Sequence, residues 1–319
     1  MKKICMVICF CCLSCSLFAQ TAVIDKIYNR QKELFQLEWQ DNYYDTVYSL
    51  IKAEIQQSDG FAKAIWHSYM AGFLQDYYNA NQYKIDSITP VNVPAESLPF
   101  DQWDIRTIVS RTVEHHSAAL AYGEDLKSVS MESCKKLFTK TDSNTLIYCN
   151  NLYDVLAHLA LDYYSNTIYK MPVPIQEFSI NSSVYFADNS AFVAYVLPAV
   201  DTLSFQYLSL QTLQDMTKMY RQRGSRMQIY IQLLRLDYAY NHAVVKDADT
   251  LYLQALQQME QNFYGQEGYA NICLHLGQYY QTSDRVRAVY WYQQAIEQEP
   301  NTIEAQCAES IKMIKQYTI

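Results

Sequence analysis

The chain has 319 residues, half of them apolar, with a formal charge of −8. An acidic chain without a basic stripe lacks the electrostatic footprint of nucleic-acid binding, and lacks the polybasic cluster that draws proteins to anionic membranes. Glycine and proline number only seven each, far below usage of about 7% and 5%, so turns and helix breakers are scarce and helices are favoured.

The first residues predict export. Met1-Lys2-Lys3 is a basic start, residues 4–18 are apolar, and Ala19 offers a small residue before Gln20. This is the order of a secretory signal peptide over 1–19. The apolar run of 15 residues falls short of the roughly 20 that a membrane-spanning helix needs, and no later stretch is apolar enough to span. Lipid attachment is the alternative, with Cys15 after Leu13-Ser14 as the acylated residue, although Cys12 fits the usual recognition stretch poorly. The expected location is the periplasm or the outer surface. Cleavage removes five of the nine cysteines and takes the formal charge from −8 to −10. Cys134, Cys149, Cys273 and Cys307 remain, too widely spaced for a disulfide scaffold, and read as isolated buried thiols or one optional bridge.

In the mature chain the first helix is expected over 23–39, with Ile24, Ile27, Leu34, Phe35 and Trp39 on one face. Asp41 or Asn42 would cap a second helix over 43–55, carrying Val47, Leu50 and Ile51. A third follows Ser58-Asp59-Gly60 over 61–83, where Gly72 would let a neighbouring helix come close. Residues 87–100 contain three prolines and read as a connector. Asp101 is the expected N-cap of a helix over 103–121, which Gly123 would end. Ser130 would cap a short helix through Phe138, 139–144 reads as a polar turn, and 151–165 is strongly helical. Residues 166–203 read as an irregular linker with some strand character, dividing an N-terminal helical-hairpin region (20–165) from a C-terminal one (204–319). Helices are expected there at 204–221, 225–243, 249–263, 267–281, 285–297 and 302–317. The fold class is therefore all-α, a helical-hairpin array with an irregular centre.

One segment carries a specific spacing. Leu276-Gly277, Tyr280, Ala288, Tyr292, Ala295 and Pro300 follow the tetratricopeptide pattern, one residue short of its usual 34 in the turn. Each residue type has a reason. Gly277 and Ala288 are small where two helices cross closely, Tyr280 and Tyr292 fill the space between hairpins, and Pro300 ends the second helix. Leu233 with Leu251 and Met259, and the pair 43–55 with 61–78, have the style of degenerate repeats, and 302–317 that of a terminal cap.

Common signatures of hydrolases, metalloproteases and nucleotide binding do not occur. No cofactor, metal or catalytic residue is expected. His115-His116 cannot face one ion, because adjacent helical residues point about 100° apart, and His158 in its apolar helix reads as a hydrogen-bonded packing residue. Tyrosine, at 29 residues, recurs in the doublets Tyr43-Tyr44, Tyr77-Tyr78, Tyr163-Tyr164 and Tyr279-Tyr280. One ring of each would pack while its hydroxyl reaches the surface; the alternative is an aromatic groove for a peptide or glycan.

Trp103-Asp104-Ile105, then Leu152-Tyr153-Asp154-Val155-Leu156-Ala157-His158 running on to Tyr164, with Tyr77-Tyr78 upstream, resemble the N-terminal helical region of bacterial alpha-2-macroglobulin family proteins. Such proteins continue into β-sandwich domains with a protease bait and, in some, a thioester. This chain reaches Ile319 without them, and its Cys307-Ala308-Glu309 is followed by Ser310 instead of glutamine, so protease trapping is not transferred to any residue. The resemblance implies a cell-envelope helical module, a truncated or split member. The expected function is a non-enzymatic interaction module for a protein or peptide in the cell envelope; the alternative is a glycan-binding helical lipoprotein of the starch-binding type.

Overall fold

The computed structural model describes residues 2–40, 42–89, 97–138, 148–165, 177–198, 203–220 and 225–316. It is all-α: fourteen α-helices and a few short 3-10 turns, with no strand among the described residues. The chain divides into two compact units, Met1–Val173 and Pro174–Ile319.

The first unit holds α1 (Lys2–Gln36), α2 (Tyr43–Gln57), α3 (Gly60–Asp86), α4 (Ile105–Leu120), α5 (Gly123–Lys127), α6 (Met131–Cys134) and α7 (Leu152–Tyr164). The helix α1 runs without a break through the predicted leader and the start of the mature chain. Ile24, Ile27 and Leu34 are buried as their spacing requires, but Phe35 and Trp39 are exposed. Phe35 lies about 100° round the helix from Leu34, and Trp39 falls in the 3-10 turn Leu37–Trp39 after the helix has ended. Among the described residues no helix is long and apolar enough to cross a membrane.

The most extensive packing in this unit joins α3 to α4, and α2 also packs on α3. Asn42 occupies the N-cap of α2 through a left-handed backbone (φ 61°) and makes no side-chain cap; Asp41 lies outside the described residues. Nothing stands within 4 Å of the place a Cβ would take at Gly72, so the close approach expected there does not occur. The start of α4 also differs. Phe100 closes a 3-10 turn and Trp103 is buried beside it, so the helix begins later. Asp104, not Asp101, caps it by accepting from the Thr107 amide at 2.7 Å. Phe100 is the hub of an aromatic cluster, with its ring 4.4 Å from Tyr77, 4.9 Å from Trp103 and 5.1 Å from Tyr48. Gly123 begins α5 and does not terminate α4.

The helix α7 is buried almost all round, as a helix with few polar positions must be. A capping box starts it. The Asn151 side chain accepts from the Asp154 amide, while Asp154 accepts from the amides of Asn150 and Asn151. A short antiparallel bridge between Ser130 and Asn151 sets this cap beside the Ser130 cap of α6.

The second unit holds α8 (Asn189–Ala194), α9 (Phe205–Tyr220), α10 (Ser225–His242), α11 (Ala248–Phe263), α12 (Tyr269–Tyr280), α13 (Arg285–Gln298) and α14 (Pro300–Gln316). Much of the segment read as a linker is packed: Phe178, Ile180, Tyr185, Phe186 and Phe192 are buried. Its strand character reduces to one parallel bridge from Ile180 to Ala243, and Val193-Ala194 are helical. Arg235 of α10, fully buried, holds this segment. Its Nη1 donates to the Tyr185 carbonyl, and its guanidinium lies 4.6 Å from the centre of the Phe192 ring. From α10 onward each helix packs on its predecessor; α12 also packs on α10, and α14 on α12. This is how a hairpin array buries faces that no hairpin could bury alone.

Gly277 of α12 shows how tight that packing is. A Cβ there would stand 2.6 Å from two ring carbons of Tyr292, and the Tyr292 ring is fully buried with its hydroxyl bonded to Gln281 at 2.6 Å. Gly277→Ala gains about 1 kcal/mol of helix propensity but must overpack a ring that cannot move, at about 1–3 kcal/mol. Net destabilisation is expected in urea unfolding of the full chain; an alanine variant as stable as the parent would show that the two helices do not meet there.

Candidate functional site

The tetratricopeptide-like residues make the inside of a hairpin. Leu276, Gly277 and Tyr280 lie on the buried face of α12, and Ala288, Tyr292 and Ala295 on the buried face of α13. Pro300 opens α14, where its missing amide hydrogen costs nothing. They are brought together as packing residues, and none of them lines a cleft described below.

The opposite face of α12 carries the chemistry. Positions 275 and 279 lie four apart on that side, and Thr282 follows in the turn after the helix. With Tyr240 of α10 and Asp249 and Tyr252 of α11, the residues His275, Gln278 and Tyr279 line a cleft of about 330 Å³. Two carboxylates organise it. Asp249 accepts from the Tyr240 hydroxyl at 2.6 Å through Oδ1 and from the Tyr279 hydroxyl at 3.0 Å through Oδ2. Asp237 of α10, behind the wall, accepts from the Tyr252 hydroxyl at 2.5 Å and from His275 Nε2 at 2.9 Å. The Tyr240 and Tyr252 rings are stacked at 4.4 Å, and the Tyr279 ring is 6.1 Å from Tyr252.

The protonation of His275 follows from its neighbours. Nδ1 lies 2.7 Å from the Asn271 carbonyl and Nε2 faces Asp237. Both partners are acceptors, so both nitrogens carry protons and the ring is an imidazolium. Burial pushes its pKa down, but the hydrogen bond and charge of Asp237 and the Asn271 carbonyl more than offset it, leaving the pKa raised. The tyrosines move the same way. Burial and the Asp249 carboxylate push Tyr279 up to about 12, and burial with Asp237 raises Tyr252 further. The cleft therefore has tyrosines that stay protonated and a histidine without a free lone pair.

The first unit carries a second cleft, of about 560 Å³, lined by Trp39, Tyr43, Tyr44, Tyr77, Glu38 and Asp101 among others. Trp39 is 92% exposed at its rim. Burial raises Tyr77 to about 12, with the charges of Asp101 and Asp45 acting in the same sense; the wall carries Glu38, Asp45 and Asp101 against Lys84.

The histidines separate as helical geometry requires. His115 meets His67 of α3, Nδ1 to Nδ1 at 2.9 Å, while His116 is buried against the rings of Tyr163 and Tyr164. Burial holds His115 near 3 and lowers His67 as well, so the pair is neutral at pH 7. The His67–His115 contact has no sequence signal, because 48 residues separate the partners. His158 is bonded to the Asp154 carbonyl at 2.7 Å inside its own helix. Among the described residues no three histidine, cysteine or acidic side chains stand close enough to hold a metal ion. Cys134, Cys149, Cys273 and Cys307 are buried thiols, and burial raises Cys134, Cys149 and Cys273 to about 12. Two of the tyrosine doublets, Tyr77-Tyr78 and Tyr163-Tyr164, are buried in both members; Tyr77 still lines the first-unit cleft, whereas the Tyr163 hydroxyl is buried.

Comparison with known protein families, curated proteins and solved structures finds no match to this chain.

Because His275 is held above its unfolded value of about 6.5, its contribution to stability is full below that pH and is lost as pH rises through the folded value. Thermal melts across pH should show the melting temperature falling from about pH 6.5 upward. Asp237→Asn should flatten that slope. A slope identical in the variant would count against the ion pair.

Proposed function

We propose that this chain is an exported, non-enzymatic interaction module of the cell envelope that holds a segment of a partner protein in the cleft formed by α10, α11 and α12. The observation that carries this reading is the preorganised wall of that cleft. Tyrosine has two side-chain torsions, and Tyr240, Tyr252 and Tyr279 are each tied to a carboxylate, so a partner would order little on binding. Tyrosine-rich surfaces with polar hydrogen-bonding tips suit protein recognition. The protonation pattern also favours binding over catalysis, since a general base needs a lone pair near its target and His275 has committed both nitrogens. The basic and apolar order of the first nineteen residues supports export. The similarity of Leu152 and its successors to the helical region of alpha-2-macroglobulin family proteins suits an envelope partner.

A photo-crosslinking residue placed at Gln278, exposed on the cleft wall, is expected to yield a protein adduct in intact cells. Tyr279→Ala should abolish it, and Gln293 on the exposed side of α13 should yield none. Equal labelling at the two positions would reject this reading.

The exposed Trp39 beside the aromatic first-unit cleft favours a second reading, a glycan-binding lipoprotein. Affinity electrophoresis in polysaccharide gels would then show retardation that Trp39→Ala removes, and intact mass would show acyl chains on Cys15. A mature protein starting at Gln20 with no retardation would eliminate it.

A further inference from the structure

The charge of the second-unit cleft names a ligand class. Asp249 stands at the exposed start of α11 and, among the described residues, is the only carboxylate on the cleft wall. His275, the other ionisable group there besides the tyrosines, has its charge engaged by Asp237 behind the wall. A carboxylate offers about four acceptor positions, and the two phenols take two of them. The remaining acceptor positions, held in fixed orientation, suit a donor with more than one N–H.

We infer that this cleft takes a basic side chain, lysine or arginine, of the partner segment, with Asp249 as counter-charge and the rings of Tyr240, Tyr252 and Tyr279 as walls. This rests on the cleft being the partner-binding surface. Electron-rich ring faces attract a cation within about 6 Å of their centres; Tyr240, stacked by one face on the buried Tyr252, and Tyr279 beside them supply such rings. The alternatives fare worse. An anionic group would meet Asp249, and among the described lining residues no lysine or arginine stands to receive it. An apolar side chain would strip water from Asp249 and return nothing, which is costly for a charge. The formal charge of the whole chain, −8, steers a basic partner in the same direction.

The test uses the full mature chain with its tyrosines isotopically labelled for NMR. It is titrated with capped Gly-Ser hexapeptides that differ at one central position: lysine, arginine, norleucine or glutamate. The lysine and arginine peptides are expected to shift the Tyr240 and Tyr279 signals and to bind about tenfold more tightly than norleucine, as for one charge-assisted contact. That advantage should shrink as salt is raised. Asp249→Asn should remove it. Tyr279→Phe, which keeps the ring and frees one side of the carboxylate, should reduce it about threefold and decides the matter should the asparagine variant fold poorly. Norleucine binding as tightly as lysine, with the same tyrosine shifts, overturns the cation inference but leaves the partner-binding reading intact. Spermidine binding more tightly than either basic peptide, with the same dependence on Asp249, overturns it in favour of a free polyamine. No shift with any basic peptide also overturns it, while the Gln278 adduct judges the partner-binding reading separately.

Discussion

Gly277 against the ring of Tyr292 is the contact on which the second unit depends. It sets the closest approach of α12 to α13, and a helix rotates as a rigid body. With Gly277 turned to Tyr292, His275 and Tyr279, each two residues from it, point about 200° away round the helix. The small residue therefore does two things at a distance of one helix diameter. It closes the hairpin, and it aims a histidine and a tyrosine at the carboxylates of α10 and α11. Any substitution that opens the α12–α13 contact should also displace the cleft wall.

The cleft is a polar network in which each carboxylate has two donors from different helices. Asp237 joins α10 to α11 through Tyr252 and to α12 through His275. Asp249 joins α11 to α10 through Tyr240 and to α12 through Tyr279. Networks of this kind add specificity of register to apolar packing, because a one-turn slip would leave a charge unpaired. The fully buried Arg235 does related work deeper in the same helix, tying α10 to the turn before α8 by the Tyr185 carbonyl and to α8 itself by the Phe192 ring face. Its pKa, lowered to about 10 by burial, still leaves it charged at neutral pH.

The first unit uses apolar and aromatic closure instead. The helix α7 is surrounded, and Phe100 plugs the junction of α2 and α3. Because Phe100 and Trp103 are drawn inward, the chain cannot begin α4 at Asp101, and Asp104 becomes the cap. Asp101 is left on the rim of the first-unit cleft, where it pairs with Lys84 at 3.5 Å.

The all-helical fold, the helix boundaries of the second unit to within a few residues, and the caps of α6 and the buried thiols were legible in the sequence. These depend on local periodicity and composition, which travel with the chain. The spacing of the motif singles out Gly277, and a Cβ there would stand 2.6 Å from the Tyr292 ring. Other features were not legible. Phe35 and Trp39 fit the apolar pattern of α1 and are exposed. Gly72 has the right size for a close crossing and meets nothing. The residues 177–198 look irregular and are core. In each case the deciding factor was which neighbour arrived, and a sequence does not state its neighbours. The cleft shows the same division. Asp237, Asp249, Tyr252 and His275 are ordinary residues on ordinary helices, up to 38 positions apart where they bond. Helical periodicity put Tyr252 in the buried stripe of α11 and said nothing of its partners; only the packing of α12 onto both α10 and α11 decided that the four would face one another.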